Sequence, residues 1–258
     1  MPTAPKALTA RERARIEFTK DIKQVARGQL AEHGAAALSL RAVARELGLG
    51  SASALYRYFP GRDALLTALI VDSYGALGDA VEAAHAALSG EDVFTRWAGI
   101  CHAVRDWALL HPHEYALIHG SPVPGYAAPP DTVAPGTRVP FLIGGLFADL
   151  AARMPDGVPD GESDRAPDGE SGNGSGVPPA VHQALGPLLG RLPPGVPEEL
   201  VVSGLMAWTY LFGAVSFEVF GHRSAIIEDQ AAFFDHEIHR IGAVLGLAPQ
   251  PGNHTGPA

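Results

Sequence analysis

The run Ser51-Ala52-Ser53-Ala54-Leu55-Tyr56-Arg57-Tyr58-Phe59 concentrates hydroxyls, phenols and a guanidinium in one short stretch. That chemistry grips a polyanion without making a covalent bond. Ser51 and Ser53, with amides at a helix start, can hold phosphate oxygens. Tyr56 and Tyr58 can pack against sugars and donate O–H to phosphates, and Arg57 can read guanine or hold the backbone. Leu55 and Phe59 are the apolar residues left to anchor the segment to a core. Ser39, Arg41 and Arg62 flank it and join the candidate DNA contacts, although Ser39 also suits a helix cap and Tyr58 also suits partial burial. Arg11, Arg13 and Arg15 read equally as a groove-seeking arm or as a soluble helix start.

Other chemistries find less support. Eleven histidines include His236 and His239, three apart, and a sequence cluster of His102, His111, His113 and His119. No Cys-x-x-Cys or His-Glu-x-x-His spacing accompanies them, so no metal or other cofactor is expected. A glycine loop for phosphate is absent from the sequence, and Cys101 would need a partnered base to act as a nucleophile. The expectation is a protein that is not an enzyme. A single cysteine forbids an intrachain disulfide, and the charged start MPTAPKALTARERAR lacks the apolar core of a signal peptide. Both point to the cytoplasm, with nucleoid association when DNA is bound.

The net charge of −9 argues at first against a nucleic-acid partner. Its distribution reverses the reading. Residues 1–70 hold 11 Lys/Arg against 6 Asp/Glu, and the remainder holds 8 against 22. A basic head on an acidic body suggests two jobs in one chain.

The elements that must position these groups are helical, and the fold class is all-α, about nine helices. Residues 1–10 read as a flexible arm. From Arg11 to about His33, Phe18, Ile22, Val25, Ala26 and Leu30 share one helical face, and Gly34 ends the run. Ser39 starts a short helix burying Leu40, Val43 and Leu47, which Gly48 and Gly50 break. Ser51 or Ser53 then caps another, stopped by Pro60-Gly61. Three short helices with a glycine turn between the last two make a helix-turn-helix candidate. Residues 11–60 are the expected DNA-binding domain. Residues 61–248 are the expected helical body, with helices near 62–88, 92–110, 112–119 and 138–153 and a Pro/Gly-rich loop over 121–136. Residues 155–179, rich in Pro-Asp-Gly, read as a disordered insertion, and 249–258 as a flexible tail.

Two heptad seams follow. Val201, Leu205, Trp208, Phe212, Val215 and Val219 are spaced 4, 3, 4, 3, 4, and Ile227, Ala231, Phe234, Ile238, Ile241 and Leu245 repeat the pattern. Two such helices from each of two chains would form an intermolecular four-helix bundle, with Val201, Leu205, Val215, Val219, Phe234, Ile238 and Ile241 at the dimer interface. The alternative is packing within the protomer. Leu200–Phe217 is uncharged over 18 residues, the minimum for a membrane span. Its weak charge flanking and its heptad seam argue for a soluble helix and no membrane partner.

Residues 38–70, LSLRAVARELGLGSASALYRYFPGRDALLTALI, resemble the tetracycline-repressor (TetR) family in Leu38-Ser39, Leu40, Ala42-Val43-Ala44, Leu47-Gly48, Leu55-Tyr56-Arg57-Tyr58-Phe59 and Arg62-Asp63-Ala64-Leu65-Leu66. One departure stands out. Six residues, rather than the family's five, separate Gly48 from Leu55. The body resembles the subgroup named for a Trp-His-Gly signature in Trp208 and Gly213, with Phe212 where histidine is expected, and in His111-Pro112-His113-Glu114-Tyr115 and Arg138-Val139-Pro140. The resemblance implies a homodimeric regulator, most often a repressor, that binds double-stranded operator DNA and is released by a small-molecule effector. Candidate effector contacts are the aromatics expected to face inward: Trp97, Trp107, Tyr115, Phe141, Trp208 and Phe212, with Phe147. The longer turn keeps a second reading alive, a small-molecule binding protein with impaired DNA binding.

Overall fold

The computed structural model describes residues 8–153, 176–192 and 196–247, so most of the expected insertion, the tail and most of the arm lie outside the described residues. All regular structure among the described residues is helical. The chain forms two compact units. The first takes residues 1–77 and 110–136, and the second takes 78–109 and 137–258.

In the first unit, α1 (Ala10–His33) opens with a capping box. The Thr9 hydroxyl accepts from the Glu12 amide, and the Glu12 carboxylate accepts from Thr9. Arg11, Arg13 and Arg15 therefore ride on a helix rather than on an extended arm. Gly34, at φ +74°, ends α1 and leads into η1 (Ala35–Ala37) and α2 (Leu40–Glu46). The segment expected to read DNA forms η2 (Ala52–Arg57), a 3₁₀ helix, followed by α3 (Arg62–Ala87), which runs on into the second unit. Ile22, Ala26, Val43, Leu55, Leu65 and Leu66 form the fully enclosed centre of this core.

The same unit draws in a distant stretch of chain. α4 (Val93–Leu110) ends where α5 (Pro112–His119) begins, and Leu117, Ile118, Val123 and Tyr126 pack against the head core. The Tyr74 hydroxyl donates to the Ile118 carbonyl at 3.1 Å, and the Thr67 and Tyr126 hydroxyls bond at 2.9 Å. Lys23 and Arg27 of α1 both reach Asp72 of α3, at 2.8 and 3.0 Å, and Arg27 lies 3.8 Å from Glu114 of α5. The expected 121–136 loop gains two short turns, η3 (Pro130–Thr132) and α6 (Val133–Gly136).

The second unit packs α4 with α7 (Arg138–Arg153), α8 (Pro179–Leu189), α9 (Glu198–Val219) and α10 (Gln230–Val244). Trp97 is fully buried, and its indole N–H donates to the Ile238 carbonyl at 3.2 Å. Gly242 lets α10 approach, because a Cβ there would lie 2.9 Å from Phe94. Partly buried charge pairs tie the helices. Arg105 grips Glu218 at 2.6 and 2.8 Å, and Arg223 holds both oxygens of Glu237 at 2.7 Å. Tyr210 donates to the same Glu237, and burial together with that carboxylate pushes its phenol up to about 12. Helices α3 and α9 are long and apolar enough to cross a membrane by length and composition.

The α9 seam is rotated from the expected register. Its buried residues are Val201, Gly204, Ala207, Leu211, Ala214 and Val215, so a run of mostly small side chains faces inward. Small residues permit close approach to α7, where a Cβ on Gly204 would stand 3.3 Å from the Phe147 ring. Val215, Phe234 and Ile238, expected at a dimer interface, are enclosed within the protomer, and Val201 nearly so. Leu205, Val219 and Ile241 are half-buried. Two candidate effector contacts also turn outward rather than inward. Trp208 follows from the rotated register, and Phe141 from α7's use of Val139, Ile143, Leu146 and Phe147 as its inner face.

Candidate nucleic-acid interface

The turn before the reader is a closed structure. Helix α2 ends at Leu47, and Gly48, at φ +72°, supplies the left-handed residue that follows. The Leu49 amide donates to the Ala44 carbonyl at 2.9 Å and the Gly48 amide to Arg45 at 3.1 Å, the paired bonds of a Schellman cap. The next residues absorb the extra turn length. Ser51 is the N-cap of η2, its hydroxyl accepting from the Ser53 amide at 3.4 Å and bonding the Ser53 hydroxyl at 2.7 Å. Of the two serines, Ser51 therefore starts η2.

A 3₁₀ helix repeats every three residues, so side chains at i and i+3 eclipse. Ala52, Leu55 and Tyr58 share the face toward the core, where Leu55 is fully buried and Phe59 closes the end. Ser53 and Tyr56 form the exposed edge, with Arg57 beside them. Tyr56 is 52% exposed, a large fraction for an aromatic residue on a helix anchored this firmly. Tyr58, assigned to the groove on sequence, is turned inward by that period. Its ring stands edge-on to Phe18 at 5.1 Å, under the Arg15 guanidinium at 5.6 Å.

Around this edge, Arg41 and Arg45 are exposed on α2. Ser39 is the N-cap of α2 with extended backbone, yet its hydroxyl makes no capping bond, the reverse of the expected priority. Arg62 departs further from a DNA contact. Its guanidinium donates to the backbone carbonyls of Leu38 and Ala35, at η1 and its C-cap. The exposed set that the fold brings together is thus Ser51, Ser53, Tyr56 and Arg57, with Arg41 nearby in the chain. The Lys23–Asp72–Arg27 bridge and the Arg15–Tyr58 stack carry no local sequence signal, because each joins residues far apart in the chain.

Residues 22–69 match the model described as bacterial regulatory proteins, tetR family, and residues 97–241 match the tetracyclin repressor-like C-terminal domain. The chain belongs to the TetR family. HTH-type transcriptional regulator Rv1816 of Mycobacterium tuberculosis is 39% identical over 241 residues, covering 91% of this chain and 95% of that protein. HTH-type transcriptional regulator Mb1846 of Mycobacterium bovis gives the same identity and coverage. The solved structure of regulatory protein SCO4313 is 34% identical and superposes with a TM-score of 0.70, over 90% of this chain and 98% of that one. A tetR-family regulatory protein from Rhodococcus RHA1 shares the fold, with a TM-score of 0.54 at 14% identity over 90% of this chain and 98% of that one. This TetR chain is a DNA-binding transcriptional regulator, and η2 lies within the matched N-terminal domain.

Proposed function

We propose that this TetR regulator acts as a homodimeric repressor that reads a palindromic operator through η2 and leaves it when a small molecule binds the body. The observation that carries the reading is the exposed Ser53–Tyr56–Arg57 edge, held by Leu55 and Phe59 on an apolar core. A rigid base with short polar groups outward is what major-groove reading requires. α3 is continuous from the reading head into the body, so a shift of its body end would alter the spacing of two heads. To reverse a 1:99 population, the effector must prefer the released state by about 5.5 kcal/mol. Trp97, Trp107, Phe147 and Phe212 remain the aromatic candidates in the body for lining its site. Tyr115 belongs instead to the unit that holds the head. The protein works without a cofactor, catalysis or a membrane, in the cytoplasm, and the Trp-His-Gly subgroup is the branch its body fits.

The dimer face follows from what α9 leaves outside. Met206, Gly213, Phe217 and Phe220 lie on one exposed face, and Phe233 and Val244 share an exposed face of α10. The reader is tested with Tyr56→Phe and Arg57→Ala. Loss of Arg57 should cost about 1–3 kcal/mol of operator affinity and relax specificity at one base pair. Tyr56→Phe should weaken binding without changing base preference. Wild-type affinity in both variants would remove η2 as the reader. The longer turn and 3₁₀ form of the reader favour one alternative, a small-molecule binding protein with impaired DNA binding. That protein would bind ligand yet show only sequence-independent, salt-sensitive DNA affinity.

A further inference from the structure

We infer that Arg62 is a positioning residue for the DNA reader and not a DNA contact, an assignment that rests on η2 being the reading segment. Arg62 is the first residue of α3, and its side chain turns back onto the stretch before α2. Nε donates to the Leu38 carbonyl at 3.1 Å. One terminal nitrogen donates to the Ala35 carbonyl at 3.0 Å and to Ala36 at 3.4 Å, and the other reaches the Asp63 carboxylate at 3.2 Å. The acceptors are carbonyls of η1 and its C-cap, and the Ala35 carbonyl also accepts from the Leu38 amide at 3.3 Å. The guanidinium supplies them from a rigid plane, which a lysine ammonium cannot reproduce at one point.

The consequence is positional. Leu38 is buried at 2% exposure, and the next residue, Ser39, is the N-cap of α2. The Arg62 fork therefore fixes the start of α3 to the start of α2. The η2 reader sits between those two elements in the chain and packs on their shared core. With its donors directed at backbone, and its side chain only 28% exposed, Arg62 contributes alignment. A phosphate contact would first have to break these bonds.

The test compares full-length wild type, Arg62→Lys and Arg62→Gln on an operator duplex and on a scrambled duplex across a salt series. Arg62→Lys decides, because it keeps the charge and loses the fork. It should lose about tenfold or more in operator affinity. Its affinity for the scrambled duplex, its melting temperature and its salt slope should stay near wild type. Without DNA, the Ala37 and Leu38 amides, which close η1, should exchange faster in both variants. Wild-type operator affinity in Arg62→Lys would overturn the inference. So would a salt slope in Arg62→Gln lower by about 0.9, the signature of one lost phosphate contact. If folded wild-type protein shows no preference for any operator, the reading itself fails, a result distinguishable from either variant's behaviour.

Discussion

His119 shows how one buried ring links chemistry to stability. It closes α5, with the Tyr115 ring at 5.0 Å and the Tyr74 ring at 5.8 Å, and burial lowers its imidazole to about 4. The folded state therefore favours the neutral ring, while the unfolded chain takes up a proton below its ordinary value of 6.5. The group's stabilisation is complete above that value and is lost as pH falls toward 4, by up to about 3 kcal/mol. His119→Phe, which keeps an aromatic ring between the tyrosines, should lose less stability than wild type between pH 7.5 and pH 4.5 in denaturant titrations. Equal losses in the two proteins would contradict the assignment. At the same scale, Leu55 and Phe59 were legible as anchors because they are the apolar residues of a polar run. The inward turn of Tyr58 was legible only as one of two readings, since choosing it depends on a 3₁₀ period that the sequence does not distinguish from an α-helical one.

The helices themselves were largely written in the periodicity, from α1 to α10. Helix α8 escaped notice because Pro187 lies inside it, Pro179 opens it and it adjoins a Pro/Gly-rich stretch. Helix α9 exposes a deeper limit. It is apolar on nearly all sides, so its pattern admits several registers, and large residues at heptad spacing suggested the wrong one. The buried face carries Gly204, Ala207 and Ala214, and Gly204 lets α9 come close to Phe147 of α7. That register leaves Met206 and Phe217, each 52% exposed, on the face proposed to meet a second copy. Phe217→Glu places a charge in that face while leaving the protomer core untouched. The variant should sediment as a monomer and lose most operator affinity, because each half-site is then held by an unlinked head. A dimer of unchanged stability in Phe217→Glu would move the interface elsewhere.

At the scale of the whole molecule, the basic head and acidic body separate two tasks, and the sequence made that division visible through charge alone. It gave no sign that residues 110–136 join the unit containing the head. Tertiary contacts decide that, through Tyr126 on Thr67 and Ile118 under Tyr74. A chain stretch from beyond α4 thus shares a core with the DNA reader, and the head is larger than its helix-turn-helix. The central claim is that this assembly reads a specific DNA sequence. The most direct test is a gel shift against DNA flanking the protein's own gene, with competitor DNA, across a salt series. The account predicts a discrete complex that survives competitor and weakens steeply as salt rises. A folded dimer that binds that DNA only as tightly as scrambled DNA, at every salt concentration, would contradict it and promote the ligand-binding alternative.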